Sequence, residues 1–467
     1  MSIQKKVMSG VDAAWLHMED PTNLMMVTGL AILDQPVDRA RFRRTVEERL
    51  LSMDRFRMKV TEARRPGAMP YWESDPNFDL DAHLHYIALP EPGDKAALQM
   101  LLSDLASTPV DFSKSPWQAH LVDNVMGGSA MVLRFHHCMG DGTAMNYVMY
   151  RLMDTERNPE APAQDAAHPR NREETSLVGS VLKPVKGVFS LSRTLLYEGV
   201  ESVLHPTHFL QRAEVAADST AIVARMLAFP PDPDTPFKGK LGVQKRVAWS
   251  APLDLADVKL AAGLCGVKIN DILVDLTTGA LRRYLLEHEA PADGLEIRAV
   301  LPVDLRAPDK AFELGNDFGL VFLSLPIGTA DPLERLVTVR ARMNALKESP
   351  EAVIFFSLLN LFGHTPQAVE EQVVNLFASR ATTVFTNVAG PRQTLYLAGS
   401  RIERMTFWVP QSGRLGMGIS ILSYDGEVML GVITDAGLVP DPEAITTAFT
   451  AEFAALLRRL QKAVDGG

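Results

Sequence analysis

Arg134-Phe135-His136-His137-Cys138-Met139-Gly140-Asp141-Gly142 decides how this chain is read. With Ala130-Met131-Val132-Leu133 ahead of it, the stretch up to His137 is a short apolar run following Gly127-Gly128, the pattern of a buried strand. Side chains alternate along a strand, so Met131, Leu133, Phe135 and His137 share one face and Val132, Arg134 and His136 the other. The two imidazoles therefore cannot converge on one substrate atom or one metal ion, and only one is expected to serve as a base. Gly140 and Gly142 permit backbone angles that other residues resist and are read as the glycines of a sharp turn. From Thr143 to Met153, the residues Ala144, Tyr147, Val148, Arg151 and Leu152 recur at helical spacing. Asp141 stands at the turn into that helix, where a carboxylate bonds backbone amides or a distant arginine. Singly, each residue has a plain structural reading: Asp-Gly is a common turn and Cys138 a small buried residue. Two histidines, three residues and then Asp-Gly at a strand-to-helix junction point together to an imidazole delivered into a cleft as a general base.

Two halves and an unusual middle extend from this segment. Residues 1–157 mix strands and helices, with a strand over 27–33 and a helix over 39–53. Residues 158–242 form a connector, opened by a stretch rich in Pro, Ala, Gln, Asp and Arg and closed by Phe229-Pro230-Pro231-Asp232-Pro233-Asp234-Thr235-Pro236. Between these, Val178, Leu182, Val185, Phe189, Leu195, Leu196 and Val200 recur at three- and four-residue steps, with Lys183, Lys186 and Arg193 among them. A basic amphipathic helix of this kind either lies in a membrane interface or packs on one of the halves. Residues 243–467 resume with strands over 245–251, 297–303, 318–326, 382–387, 416–423 and 427–434. Helices are expected over 255–265, 332–347 and 366–378, and after Pro442. Phe355-Phe356-Ser357-Leu358-Leu359-Asn360-Leu361-Phe362 lines an acyl-binding tunnel, touches a membrane or is plain core.

Composition bounds the partners. Across 467 residues, 46% are apolar and 22% charged, which excludes global disorder. Lys plus Arg number 47 against 57 acidic residues, a net charge of −10 that disfavours nucleic acid. Two cysteines, Cys138 and Cys265, are too few for a disulfide framework and suit a reducing compartment. The first residues lead to no apolar signal core, and no apolar stretch approaches the ~20 residues that span a bilayer. The expectation is a protein that is soluble or rests on a membrane without crossing it. Gly-x-Ser-x-Gly, Walker, GxGxxG and Cys-x-x-Cys motifs are all missing, and His288-Glu289 lacks a zincin's second histidine.

His136-His137-x-x-x-Asp141-Gly142 resembles the HHxxxDG signature of the chloramphenicol acetyltransferase-like acyltransferase superfamily. Met8-Ser9-Gly10-Val11-Asp12-Ala13-Ala14-Trp15, Ile269-Asn270-Asp271-Ile272-Leu273 and Thr386-Asn387-Val388-Ala389-Gly390-Pro391 narrow the resemblance to the bacterial wax ester synthase/diacylglycerol acyltransferase family. So does the closing run from Gly416 to Tyr424. The likeness spans nearly the whole chain in the expected order, with one departure: the family's Pro-Leu-Trp appears as Ser115-Pro116-Trp117, so no specific role is carried onto that segment.

The resemblance implies an α/β fold of two chloramphenicol acetyltransferase-like halves with mixed sheets, a channel at their interface and a helical connector. It implies an acyl-CoA-dependent acyltransferase that makes wax esters from fatty alcohols and triacylglycerol from diacylglycerol by direct transfer. Acyl-CoA enters as co-substrate, and no cofactor or metal is required. The expected setting is the cytoplasm, peripheral at the inner membrane or at a lipid-inclusion surface. His137 matches the family's base, His136 supports the backbone or its neighbour, and activity is expected to fall as pH drops below the pKa of His137, ~6.5 if unperturbed. Asn270 matches an Asn-Asp motif and is the candidate oxyanion donor, although asparagine is also a good helix N-cap. Asp141 is expected to be structural and to pair with Arg306, while Gly140, Gly142 and Asp271 shape the site. Three other readings remain open. In one, His136 and Asp141 act together as an HxxxxD pair. In another, a condensation-type or polyketide-associated acyltransferase takes its acyl group from a carrier protein. In the third, the chain is a non-catalytic lipid-inclusion protein.

Overall fold

The histidine-bearing strand runs Gly128–His136 and lies in the middle of a six-stranded sheet, paired with Met26–Leu33 on one side and Trp117–Val125 on the other. All of its residues are buried. Alternation sorts them as the sequence requires. Met131, Leu133 and Phe135 join a core that includes Val11 and Trp15, and Ala130 and Val132 face a second layer with Leu98, Leu102 and Trp249. Burying a Leu or Phe side chain contributes ~1.5–3 kcal/mol, so a register slip that reversed these faces would be strongly disfavoured. The computed structural model describes residues 4–63, 68–159, 230–306, 314–347, 349, 351–363, 374–375, 378–411 and 413–465. The amphipathic stretch from Val178 to Leu204 and most of the expected 366–378 helix lie outside them.

The two large sheets are mixed, beside a small antiparallel sheet of Lys5–Val7, Tyr71–Ser74 and Met58–Thr61. The first has the order Tyr396–Leu397, Ser400–Trp408, Met26–Leu33, Gly128–His136, Trp117–Val125, Leu84–Ala88, antiparallel until the last pair, which is parallel. The second runs Phe318–Leu325, Ile297–Asp304, Thr383–Ala389, Met417–Tyr424, Glu427–Asp435, Lys245–Trp249, with two parallel pairings around Thr383–Ala389. Helices Leu255–Cys265, Ile269–Glu287, Pro332–Lys347 and Pro442–Asp465 pack together over the second sheet, their apolar faces in one core. The buried Arg335 ties three of them by donating to Asp275 at 2.8 Å and Glu452 at 2.9 Å.

One hairpin, Tyr396–Leu397 with Ser400–Trp408, crosses between the halves. Ser400–Trp408, from the second half of the chain, pairs with Met26–Leu33 at the edge of the first sheet. Sequence reading passes over it because a bulge between Ile402 and Arg404 breaks the alternation, leaving Arg401, Glu403 and Arg404 exposed. Trp408 then ties it back to the second sheet, its Nε1–H donating to Ala248 O at 3.1 Å.

Two further elements depart from expectation. The helix expected over 39–53 is regular through Arg39–Thr45 and then widens into a π turn, Val46–Leu50. A four-residue spacing drifts around a regular helix, and the wider turn returns Leu50 to the core beside Phe42 and Val46. Phe355 and Leu359 are buried on a helix, Glu351–Phe362, that packs against both Phe318–Leu325 and Gly10–His17, while Ile354, Phe356 and Leu358 stay half-buried. Among the described residues, no helix is long and apolar enough to cross a membrane.

Candidate active site

The strand ends at His136, and His137 opens a single 3-10 turn, His137–Met139. Backbone bonds fix the transition, with the His136 N–H donating to Pro116 O at 2.9 Å and the His137 N–H to Met25 O at 2.7 Å. The His137 ring lies flat on Trp15, centroids 4.1 Å apart at 15°, with Phe318 tilted beside it at 5.7 Å. Trp15 belongs to the helix Gly10–His17, and Phe318 opens the strand Phe318–Leu325 at the edge of the second sheet. The ring is thus held at the seam between the halves, 8% exposed.

Its tautomer follows from its neighbours. Nδ1 is 2.9 Å from Asn316 Oδ1. The Asn316 amide nitrogen donates to Asp12 Oδ1 at 2.9 Å and to His137 O at 2.8 Å, neither of which can donate in return. Oδ1 must therefore be the atom facing the ring, and Nδ1 must carry the proton. The lone pair is left on Nε2, which has no hydrogen-bond partner among the described residues. Burial in this aromatic slot pushes the His137 pKa down to about 4, against the opposing pull of the Asp141 carboxylate. The ring is therefore not an unperturbed histidine, and it stays neutral well below pH 6.5.

His136 is sealed, at 0% exposure. Its Nδ1 accepts the Cys138 N–H at 3.2 Å, so Nε2 carries the proton and donates to Glu19 Oε2, also at 3.2 Å. Phe112 meets the ring edge-on. Both nitrogens are occupied, and neither touches Asp141, so no His136–Asp141 pair of the HxxxxD kind forms.

Asp141 caps the helix Gly142–Leu152, its Oδ1 accepting the Ala144 N–H at 3.0 Å. Its Oδ2 accepts from Arg306 Nη2 at 2.7 Å and from the Asp317 N–H at 2.9 Å. Arg306 also donates to Gly315 O at 2.8 Å, and Thr143 Oγ1 donates to Asp304 Oδ2 at 3.1 Å. These bonds join the turn after the histidines to the second half. The glycines work differently from the sequence reading. Gly140 is extended, with φ 168°, and its need is space, since a Cβ would come 2.8 Å from Ala144 Cβ. A Cβ on Gly142 would only touch Val388 at 3.7 Å. The left-handed demand falls across the seam on Gly315, φ +134°.

Asn270 is the second residue of the helix Ile269–Glu287, and the N-cap position belongs to Lys268. Asp271 closes that helix start, its Oδ2 accepting the Lys268 N–H at 2.9 Å. Asn270 Oδ1 accepts from Asn387 Nδ2 at 2.6 Å, which leaves the Asn270 NH2 with no acceptor among the described residues. No hydrogen bond joins Asn270 to the His137 cluster among the described residues. Trp117, in the divergent segment, is a buried anchor whose Nε1–H donates to Phe56 O at 2.8 Å. Ser115 reaches Arg55 O at 3.3 Å.

Sequence reading assigned nothing to Asn316, Asp12, Trp15 or Glu19. Asp12 carried a signal, as a carboxylate inside the apolar run Val11–Trp15 that a buried helix tolerates only with partners. Asn316 sat in Gly315-Asn316-Asp317, a polar trio at the mouth of an apolar strand.

Two mixed α/β halves hold an imidazole at their seam, beside an aspartate clamped to an arginine of the opposite half, which is the two-half arrangement that the sequence resemblance implied. The chain belongs to the wax ester synthase/diacylglycerol acyltransferase family: the model of that family's catalytic domain matches residues 8–273, and the model of its C-terminal domain matches residues 314–457. A Mycobacterium tuberculosis protein (strain CDC 1551 / Oshkosh), described provisionally as a diacylglycerol O-acyltransferase, is 29% identical over 95% of this chain and 88% of its own length. The fold is similar to that of the wax ester synthase/diacylglycerol acyltransferase from Marinobacter aquaeolei VT8, with TM-score 0.68 and 20% identity over 98% of this chain and 100% of that one. It is also similar to the first condensation domain of the calcium-dependent antibiotic synthetase, with TM-score 0.60 and 14% identity over 98% of this chain and 96% of that one.

Proposed function

We propose that this family member is an acyl-CoA-dependent O-acyltransferase that esterifies long-chain fatty alcohols and diacylglycerol, with His137 as general base. The observation that carries the proposal is the tautomer: Asn316 holds the proton on Nδ1, and a neutral Nε2 lone pair is left at the seam. An alcohol hydroxyl bound there gives its proton to Nε2 as its oxygen attacks the thioester carbonyl. The tetrahedral oxyanion collapses, the C–S bond breaks, and the coenzyme A sulfur takes the proton back from the imidazolium. Atoms balance without an acyl-enzyme, provided both substrates bind together. Aromatic walls and the half-buried apolar residues of Glu351–Phe362 suit a long acyl chain.

Asn270 is assigned the oxyanion. Asn387 occupies its carbonyl and leaves its NH2 with no acceptor among the described residues, and Asn270 lies in the first turn of a long helix, where negative charge is favoured. Asn270→Ala is expected to lower kcat roughly 10²–10³-fold with a much smaller change in the KM for alcohol. A variant that instead raises KM and spares kcat assigns Asn270 to substrate binding.

Incubation of the purified protein with palmitoyl-CoA and either hexadecanol or diacylglycerol tests the substrate class. The expected result is ester product, seen by mass spectrometry, matched by free coenzyme A thiol. Transfer from a carrier-protein thioester but not from palmitoyl-CoA would favour a condensation-type enzyme, and no acyl release from any donor would favour a lipid-inclusion protein. Activity is also expected to hold from pH 7 down to about 5. Protonation of Nε2 inactivates the base, and burial has moved that event from about 6.5 to about 4. An acid limb centred near 6.5, at pH values where the near-ultraviolet circular dichroism is unchanged, would refute a desolvated base.

A further inference from the structure

Four groups stand in a row behind the imidazole. Trp72 is fully buried, and the guanidinium of Arg55 lies over its ring at 4.2 Å. Arg55 Nη1 faces Asp12 Oδ2 at 3.8 Å. Asp12 Oδ1 accepts both the side-chain and backbone N–H of Asn316, at 2.9 and 3.1 Å. Asn316 Oδ1 then meets His137 Nδ1. Every member is at least nine-tenths buried, and Arg55 is held from outside by Ser115 and by the Trp117 anchor at Phe56. The row draws on three separate parts of the chain: residues 55–72, the helix Gly10–His17, and the loop before Phe318–Leu325.

We propose that Asn316 and Asp12 are positioning residues of the transfer reaction, a carboxamide–carboxylate relay that selects the tautomer of His137 and locks its ring. The assignment rests on His137 being the base. In water a neutral histidine side chain favours the proton on Nε2, which would leave the alcohol facing a donor where it needs an acceptor. A hydrogen bond from Nδ1–H to a fixed carbonyl reverses that preference. An amide partner fits the task only if it cannot rotate, and Asp12 supplies that lock by engaging two N–H groups of the same residue. Asp12 also polarises the amide, which strengthens Oδ1 as an acceptor. Using an amide at Nδ1 keeps a full negative charge off the ring, so His137 remains neutral while its orientation is fixed. The charged groups around the row are Asp12 and Glu19 on the N-terminal side, Arg55 behind, and Asp141 with Arg306 at the neighbouring turn.

One competing cause of the same tautomer is present. The carbonyl oxygen of His137 itself lies on the Nδ1 side and favours a proton there. The experiment separates the two. Imidazole nitrogens are observed by 15N NMR in the wild-type protein near pH 7, with His137 assigned by the signals missing from His137→Gln. The wild type is expected to show a protonated Nδ1 and a bare Nε2. Asn316→Ala is expected to move the proton wholly or partly to Nε2 and to lower kcat by roughly 10²-fold, because a ring of the wrong tautomer cannot accept the hydroxyl proton. KM for palmitoyl-CoA is expected to change less than kcat. Asp12→Asn keeps an acceptor opposite Asn316 and is expected to give a smaller loss in the same direction.

A wild-type ring protonated at Nε2 overturns the relay without any variant being needed. So does an Asn316→Ala ring that keeps Nδ1–H, which would show that the histidine's own carbonyl suffices. If the proton moves as expected but turnover stays at the wild-type level, His137 is not the base, and the relay falls with that reading. Should Asn316→Ala fail to fold, Asp12→Asn and the wild-type spectrum carry the test.

Discussion

His137→Gln should lower kcat by roughly 10²–10⁴, the usual worth of a positioned general base, while leaving a folded protein. Glutamine fills much of the space between Trp15 and Phe318 and still offers Asn316 a donor, so the seam keeps its shape. It has no lone pair basic enough to take a hydroxyl proton, so the deficit should fall on kcat. Substrate binding and the thermal midpoint should move little. Residual turnover is expected, because an oxyanion donor and simple juxtaposition of the substrates survive the change. His136→Ala is the informative contrast. That ring is sealed between Glu19, Phe112 and the Cys138 amide, so its removal empties a buried site and leaves Glu19 with the Met25 N–H as its remaining donor. Its cost should appear mainly as lost stability, with kcat in the surviving folded fraction far above that of His137→Gln. Steady-state kinetics beside thermal melts of both variants decide the matter. A dead, well-folded His136→Ala alongside an active His137→Gln would invert the assignment of base.

Much of this frame is legible in the sequence, where periods and turn residues mark its elements. The alternation through Gly128–His136 sorted the two imidazoles onto opposite sides, and Trp15 and Glu19 now mark those sides. The helices Leu255–Cys265 and Pro332–Lys347 begin and end where expected, the first opened by its Asp254 cap and closed by the left-handed Gly266, the second opened by Pro332. Elements whose pattern is broken locally were harder. Ser400–Trp408 carries a bulge and three exposed charges, and nothing in its own residues says that it leaves its half to extend the other sheet. Around the base, the residues nearest in sequence could be named, but the Asp12–Asn316 contact spans 304 positions. No local pattern encodes such a pairing, because what selects it is the three-dimensional demand of two buried polar groups for partners. The His137 pKa was out of reach for the same reason. It depends on how completely Trp15 and Phe318 exclude water, which is a property of packing.

The second large effect is expected at the clamp between the halves. Asp141→Ala removes an N-cap, worth about 1 kcal/mol, and takes the carboxylate away from a buried arginine, which typically costs about 3–5 kcal/mol. Arg306 keeps its bond to Gly315 O and lies near Asp304 and Asp317, so the lower part of that range applies, and a total near 4 kcal/mol is expected. Turnover should fall as well, through geometry. Without Oδ2 the Asp317 amide loses its acceptor, and the loop carrying Asn316 loosens from the base it orients. Asp141→Asn retains the cap and one acceptor, and should lose about half as much. The decisive comparison is Asp141→Asn combined with Arg306→Leu. If the penalty of the single change is mainly an arginine without its counter-charge, removing that arginine should recover part of the stability and little of the activity, because the seam is still unclamped. Urea denaturation and kcat measured on the wild type, both single variants and the pair read the two quantities separately. Strictly additive losses of stability would show that Asp141 and Arg306 act independently, and the clamp would then not be what holds the base-bearing turn against the second half.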